Sequence, residues 1–265
     1  MRLRHGWILC WLGCVGCQSL TGGKALSEPN AGEALWRRGQ AAVTAGQPVR
    51  AISFYERSLA ADPSRTANYL SLAAAHLEAG NKDAACQHLA QYLDHHPEQI
   101  TVRGQFAELL LRSGKSSEAR LEFARFAADA QDLGDGALRR RIHAHGRLME
   151  LAEDADDLYE THLERGIGMY LLACCRGELD EPQGELPLEG LLCKAAGELS
   201  LAHDARPEEA RACWYLHAVW SRLGQTQPAS RWLQAANAAA VYAPLTRAEQ
   251  RSLQLVVSPN PDRQR

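Results

Sequence analysis

Three glycines and three alanines in this chain keep one long interval. Gly46, Gly80 and Gly114 stand 34 residues apart, and Ala51, Ala85 and Ala119 repeat the spacing five positions later. A fixed period of this length is the trace of stacked two-helix units, each of which buries its apolar face only against its neighbours. The residue types fit such a unit. Glycine suits a helix C-terminus, where a left-handed backbone carries no Cβ penalty. Alanine lets a second helix lie close to the first, and Tyr55, Leu89 and Phe123, four residues after each alanine, fill the gap between hairpins. Pro63 and Pro97, again 34 apart, stop the second helix of their units. Ordinary amphipathic helices would show a 3.6-residue periodicity and no such long interval.

The first unit reads A-L-W-R-R-G-Q-A-A-V-T-A-G-Q-P-V-R-A-I-S-F-Y-E-R-S-L-A-A-D-P from Ala34 to Pro63, with Gly39, Gly46, Ala51, Tyr55 and Pro63 in pattern. The second places Leu72, Ala73, Gly80, Ala85, Leu89 and Pro97 in the same register. The third places Phe106, Ala107, Gly114, Ala119 and Phe123 there, but Gln131 stands where the proline is expected. This pattern resembles the tetratricopeptide repeat. The resemblance implies an all-α fold, a right-handed helical-hairpin solenoid with a divergent middle section. It also implies a surface presented to another protein, without chemistry of its own.

A fourth match lies around Trp214, Leu216, Trp220, Gly224, Ala229 and Leu233. Gly114 and Gly224 are 110 residues apart, eight more than three periods, so the register is broken between them. That middle reads as three helices, Leu138–Glu153, Leu158–Cys175 and Leu188–His203, with a Gly/Pro/Glu-rich loop from Gly177 to Pro187. In the second of them Arg165-Gly166 echoes Arg38-Gly39 and Arg103-Gly104. It can be the second helix of a fourth hairpin, or the first helix of a hairpin whose turn has been lengthened. Leu245–Val256 reads as a capping helix. The expected division is a signal peptide over 1–16, lipid attachment and a flexible tether over 17–32, and three repeats over 33–131. A divergent helical section follows over 132–207, then a repeat with a capping helix over 208–257 and a disordered tail over 258–265.

At the N-terminus Arg2, Arg4 and His5 precede the apolar run W-I-L-C-W-L-G-C-V-G. A basic start and a short apolar stretch describe a secretory signal, too short to span a bilayer as a helix. The Val15-Gly16-Cys17 ending resembles a bacterial lipoprotein signal, which implies a lipid on Cys17, with Cys14 as the competing site. The resemblance places the body at the cell envelope as a lipid-anchored membrane protein facing the periplasm, with a protein or peptide partner in an envelope assembly. Cys14 and Cys17 also form a C-x-x-C, but neither a following His nor a second such pair supports redox or metal chemistry. Net charge is −3, and loss of a leader carrying Arg2 and Arg4 makes it −5, which argues against nucleic acid as a partner. Beyond Cys17 stand Cys86, Cys174, Cys175, Cys193 and Cys213, an odd number on helices that read as packed, and buried free thiols are expected.

The chain lacks H-E-x-x-H, a Walker-type glycine loop and G-x-S-x-G, so neither an enzyme nor a cofactor is expected. The acidic stretch from Glu150 to Glu160 lacks the glycine and ligand spacing of a calcium loop and reads as a solvated turn. His95-His96 read as solvated or packing histidines rather than metal ligands. An alternative of a different class is an accessory or catalytic domain on the middle helices using His143, His145, Cys174, Cys175 and Cys193.

In the family the first helix of each hairpin lines the concave face. Matching register puts Trp36, Gln40 and Val43 there from the first unit, Leu70, Ala74 and Leu77 from the second, and Gly104, Glu108 and Leu111 from the third. Trp36, Leu70, Leu77 and Leu111 would make an apolar stripe for a partner helix or extended peptide. Family members that clamp a chaperone C-terminal carboxylate use Lys, Asn and Arg at positions matched here by Trp36, Gln40, Ser71, Thr101 and Gln105, so that clamp is not expected.

Overall fold

The computed structural model describes residues 31–130, 135–178, 187–243 and 245–257. Among them are twelve α-helices and no strand. The chain divides into two compact units, the first ending at Gly114 and the second beginning at Lys115.

The first unit holds α1 (Ala31–Thr44), α2 (Pro48–Ala61), α3 (Ala67–Glu78), α4 (Lys82–His95) and α5 (Ile100–Arg112). α1 packs on α2 and α3 on α4, and successive hairpins meet through α2 with α3 and α4 with α5. The turns have the geometry that the period requires. Gly46, Gly80 and Gly114 take φ of 68°, 83° and 74°, the left-handed region. Gln47 N–H then reaches back to the Ala42 carbonyl at 2.9 Å and Asn81 N–H to that of His76 at 2.8 Å, which satisfies carbonyls that the helix end would leave open. Ala51 and Ala85 are fully buried, with Tyr55 and Leu89 in the core beside them. A Cβ on Gly39 would stand 2.4 Å from the Tyr55 ring, so the glycine is what lets the two helices close. A buried polar tie joins three helices: Ser58 Oγ donates to the Gly32 carbonyl at 2.6 Å and accepts from Asn68 Nδ2 at 3.1 Å.

The second unit holds α6 (Ser116–Asp129), α7 (Asp135–Glu153), α8 (Leu158–Glu178), α9 (Leu188–Ala205), α10 (Ala210–Arg222), α11 (Thr226–Ala239) and α12 (Arg247–Val257). α10 and α11 form a hairpin about Gly224, whose φ is 71°, with Ala229 buried. The middle helices carry features of both pairings left open by the sequence. A Cβ on Gly166 of α8 would meet Leu199 Cγ of α9 at 2.7 Å, as a Cβ on Gly39 would meet Tyr55. Ala195, Leu199 and Ala202 are wholly buried on α9 as Ala51, Tyr55 and Ser58 are buried on α2. Arg206, φ −142° and ψ 85°, caps α9 before Pro207, as Asp62, φ −144° and ψ 86°, caps α2 before Pro63. α8 and α9 therefore pack against each other as the two helices of a repeat hairpin do, across a lengthened turn. Gly39 and Tyr55 are 16 positions apart and Gly166 and Leu199 are 33, so 17 residues have been added. α7 packs on both α6 and α8. Its turn into α8 copies the repeat turn without glycine: Asp156 takes φ 55°, and Asp157 N–H reaches the Ala152 carbonyl at 3.0 Å.

Candidate protein-binding face

In the first unit the first helices are α1, α3 and α5, and each expected face residue lies at or near the surface. Trp36 and Val43 are half-buried and Gln40 is exposed; Leu70, Ala74, Leu77, Gly104, Glu108 and Leu111 are half-buried. Their helix neighbours make the core instead, with Leu72, Ala73 and Ala75 on α3 and Phe106, Ala107, Leu109 and Leu110 on α5. Trp36 is held in place. Its indole N–H donates to Ser71 Oγ on α3 at 3.2 Å, and the Arg65 guanidinium lies 6.0 Å from the ring centroid, within cation–π range. Arg65 is itself within 3.6 Å of Glu33. Trp36 and Val43 both pack on the cluster of Ala42, Ala51, Tyr55, Leu72 and Ala75, so part of each serves the hairpin. Ser71 also bonds the Tyr55 hydroxyl, whose pKa burial pushes up to about 12. The matched clamp positions Thr101 and Gln105 are exposed and Ser71 is engaged by the indole.

The histidines of the first unit pack. His95 stacks on Tyr69 at 5.7 Å, His76 on His88 at 5.3 Å, and His96 Nε2 lies 2.7 Å from Thr66 Oγ1. Burial, helped by the neighbouring His88, lowers the pKa of His76.

The second unit contains an arrangement that the sequence reading did not identify. His145 Nδ1 of α7 pairs with Glu164 of α8, and both are buried. Glu164 Oε1 lies 3.4 Å from Arg211 Nη1 of α10, whose Nε lies 3.3 Å from Glu249 Oε1 of α12. Tyr215 adds a hydrogen bond to Glu249. Burial acts to raise the Glu164 and Glu249 carboxyls. The charges of His145 and Arg211 on Glu164, and of Arg211 with bonds from Thr246 and Tyr215 on Glu249, outweigh it and hold both below the usual value. Arg211 is driven well above its usual value: burial opposes this, and Glu249 and Glu164 overcome it. The one sequence signal for this arrangement is Thr246-x-x-Glu249, a capping box.

His143 is exposed while His145 is buried against Glu164; Cys174 and Cys175 are half-buried, and Cys193 is exposed. None of the five described cysteines is in a disulfide, but only Cys86 and Cys213 are fully buried. The expectation of buried thiols is thus corrected at Cys193, which faces outward from α9 with Lys194 beside it. Among the described residues no group of three or more His, Cys, Asp or Glu could hold a metal ion. Nor is any described helix long and apolar enough to cross a membrane. Cys17 and the rest of residues 1–30 lie outside the described residues, as do Gln131, most of the Gly177 to Pro187 loop and the tail.

Residues 42–98 match the family model for the tetratricopeptide repeat, from the end of α1 through the second hairpin. No curated protein matches the chain. Among solved structures it is similar to a putative kinesin light chain from Podospora anserina with nearly identical TPR-like repeats, at 15% identity and TM-score 0.42, over 89% of this chain and 100% of that one. It is also similar to PilF of Pseudomonas aeruginosa, at 14% identity and TM-score 0.37, over 85% and 97%. A third similarity is to MamA from Desulfovibrio magneticus RS-1, at 13% identity and TM-score 0.33, over 83% and 100%. The fold is all-α and built of helical hairpins of the tetratricopeptide type.

Proposed function

We propose that this chain is a non-catalytic scaffold or adaptor that binds a helical or extended segment of a protein partner across α1, α3 and α5. One observation carries the reading: Trp36, Leu70, Leu77 and Leu111 stay half-buried in register on three first helices, while the residues beside them fill the core. An apolar stripe with a pinned indole suits a partner segment, because a side chain already fixed by Ser71 loses little freedom on binding. Gln40, Val43, Ala74 and Glu108 flank the stripe. The proposal includes a lipid on Cys17, holding the body at a bacterial envelope with the repeats facing the periplasm; this rests on the short apolar run ending in Val15-Gly16-Cys17.

Partner capture from detergent-solubilised envelopes tests the reading. Aromatic anchors at the centre of an interface cost about 2 kcal/mol or more when truncated. Trp36→Ala with Leu70→Ser should therefore weaken capture about 30-fold or more, with helicity and melting temperature measured alongside. Unchanged capture refutes the face. Fatty-acid labelling tests the address: Cys17→Ser should abolish it, and labelling that survives in that variant refutes the site.

A further inference from the structure

In the second unit the matching face is already covered by the chain's own α12, which meets α10 through side chains and whose backbone also lies close to α6. Trp214 stands ten residues before Gly224, as Trp36 stands ten before Gly46. On α10, Arg211 and Tyr215 are four apart and share one stripe. Cys213, 3.5 Å from His203 of α9, and His217, 3.0 Å from the Ala229 carbonyl of α11, lie about half a turn round. The stripe turned away from α9 and α11 is the one that receives Glu249. Leu245 and Leu253, four residues either side of Glu249, join the same apolar cluster as Trp214 and Tyr215.

Three features make α12 an occupant of this face. It starts itself: Thr246 N–H donates to Glu249 Oε2 at 2.9 Å and Glu249 N–H to Thr246 Oγ1 at 3.3 Å, a capping box that needs no partner helix. Its far end is loosely held, since Leu255 to Val257 are exposed, and the segment that leads into it carries the exposed Val241 and Tyr242 ahead of the buried Leu245. Its departure would not leave the buried Arg211 alone, because Arg211 keeps Glu164.

We propose that the α10 face under α12 is a second protein-docking site, held shut by α12. Its external occupant is an amphipathic helix of about three turns, with a carboxylate in its first turn and a large aliphatic side chain four residues to each side. The inference goes beyond the reading above and shares with it only the premise that first-helix faces take protein segments. Its test does not involve Trp36, so either can fail while the other stands.

The probe is a labelled peptide of residues 243–257, titrated into the full chain and into a full-chain variant, Glu249→Lys with Leu253→Asp, whose α12 cannot seat. The peptide should bind the variant at least tenfold more tightly than the unmodified chain, and a Glu249→Gln peptide should lose at least tenfold. Equal binding to both chains overturns the proposal. So does loss of helical circular dichroism in the variant, since α12 would then belong to the fold of the unit. Hydrogen exchange on the unmodified chain supplies a second reading: α12 amides should exchange at least tenfold faster than the buried amides of α10. Equal protection overturns the proposal.

Discussion

Gly166→Ala tests whether α8 and α9 form a repeat hairpin. The added Cβ would lie 2.7 Å from Leu199 Cγ, 2.9 Å from Cδ2 and 3.2 Å from the Leu199 backbone nitrogen. Leu199 is wholly buried, so its side chain has no free space to enter, and the nearby nitrogen requires α9 itself to move. Overpacking of this kind costs about 1–3 kcal/mol. Alanine returns about 1 kcal/mol of helix propensity, so the net change is about 0–2 kcal/mol destabilising. Gly197→Ala is the control, because that glycine is exposed on α9 and a Cβ there meets nothing within 4 Å. The propensity gain is common to both variants, so their difference isolates the contact at about 1–3 kcal/mol. At about 2–4 °C per kcal/mol for a domain of this size, their melting temperatures should differ by about 2–12 °C, with Gly197→Ala higher. Thermal melts followed by circular dichroism measure it. Combining Gly166→Ala with Leu199→Ala should cost less than the two separate changes summed, since the second removes the atoms that the first meets. Equal melting temperatures for Gly166→Ala and Gly197→Ala would refute the close approach and with it the hairpin assignment.

Ser58→Ala should destabilise the first unit by about 1–3 kcal/mol, because the Gly32 carbonyl and the Asn68 amide then lose a buried partner. A shift in urea midpoint measures it, and a value as small as that of the exposed Ser53→Ala would contradict the tie. Acid should weaken the second unit. A carboxyl held below its usual pKa contributes stability that is complete above the unfolded value, near 4.5, and is lost as pH falls through the folded one. With Glu164 and Glu249 both depressed, melting temperature should be level above about pH 5.5 and fall below about pH 4.5, and Glu249→Gln should flatten that fall. A flat profile in the unmodified chain down to pH 3 would refute it.

What the sequence made legible was what a single residue decides locally. Gly46, Gly80, Gly114 and Gly224 have left-handed turns because nothing else adopts that backbone so readily, and a fixed interval between them is visible without knowing any contact. Asp156 takes the same conformation without glycine, and in the sequence it is one acidic residue among several in a solvated turn. The α8–α9 pairing hid for a different reason. Ala195 and Pro207 keep the twelve-residue spacing of Ala51 and Pro63, but the partner of Leu199 lies 33 residues back, across a lengthened turn that destroys the period. Which first-helix residues face outward followed from register, whereas the hydrogen bond from Trp36 to Ser71 joins two repeats and has no signal within either. Arg211 and Glu249 are each unremarked as single residues; only the path of the chain after α11 brings them together.

The two units use different means to fix their helices, and the difference bears on what each face can do. The first is tied by neutral hydrogen bonds, Ser58 with Asn68 and Gly32, and Trp36 with Ser71. The second runs a line of ionisable groups through four helices, from His145 to Glu164, Arg211 and Glu249, with Arg211 between two carboxylates. Buried ion pairs are weak contributors to stability, because the cost of removing both charges from water offsets much of their attraction. They are strict about geometry. An apolar α12 could slide or turn on the cluster of Trp214 and Tyr215 with little change in area buried. A carboxylate fixed by its own capping box must meet one guanidinium, and a one-residue slip would swing it by 100° around the helix axis. Arg211 therefore selects the register of whatever lies on that face, and the same selection would apply to a helix arriving from another protein.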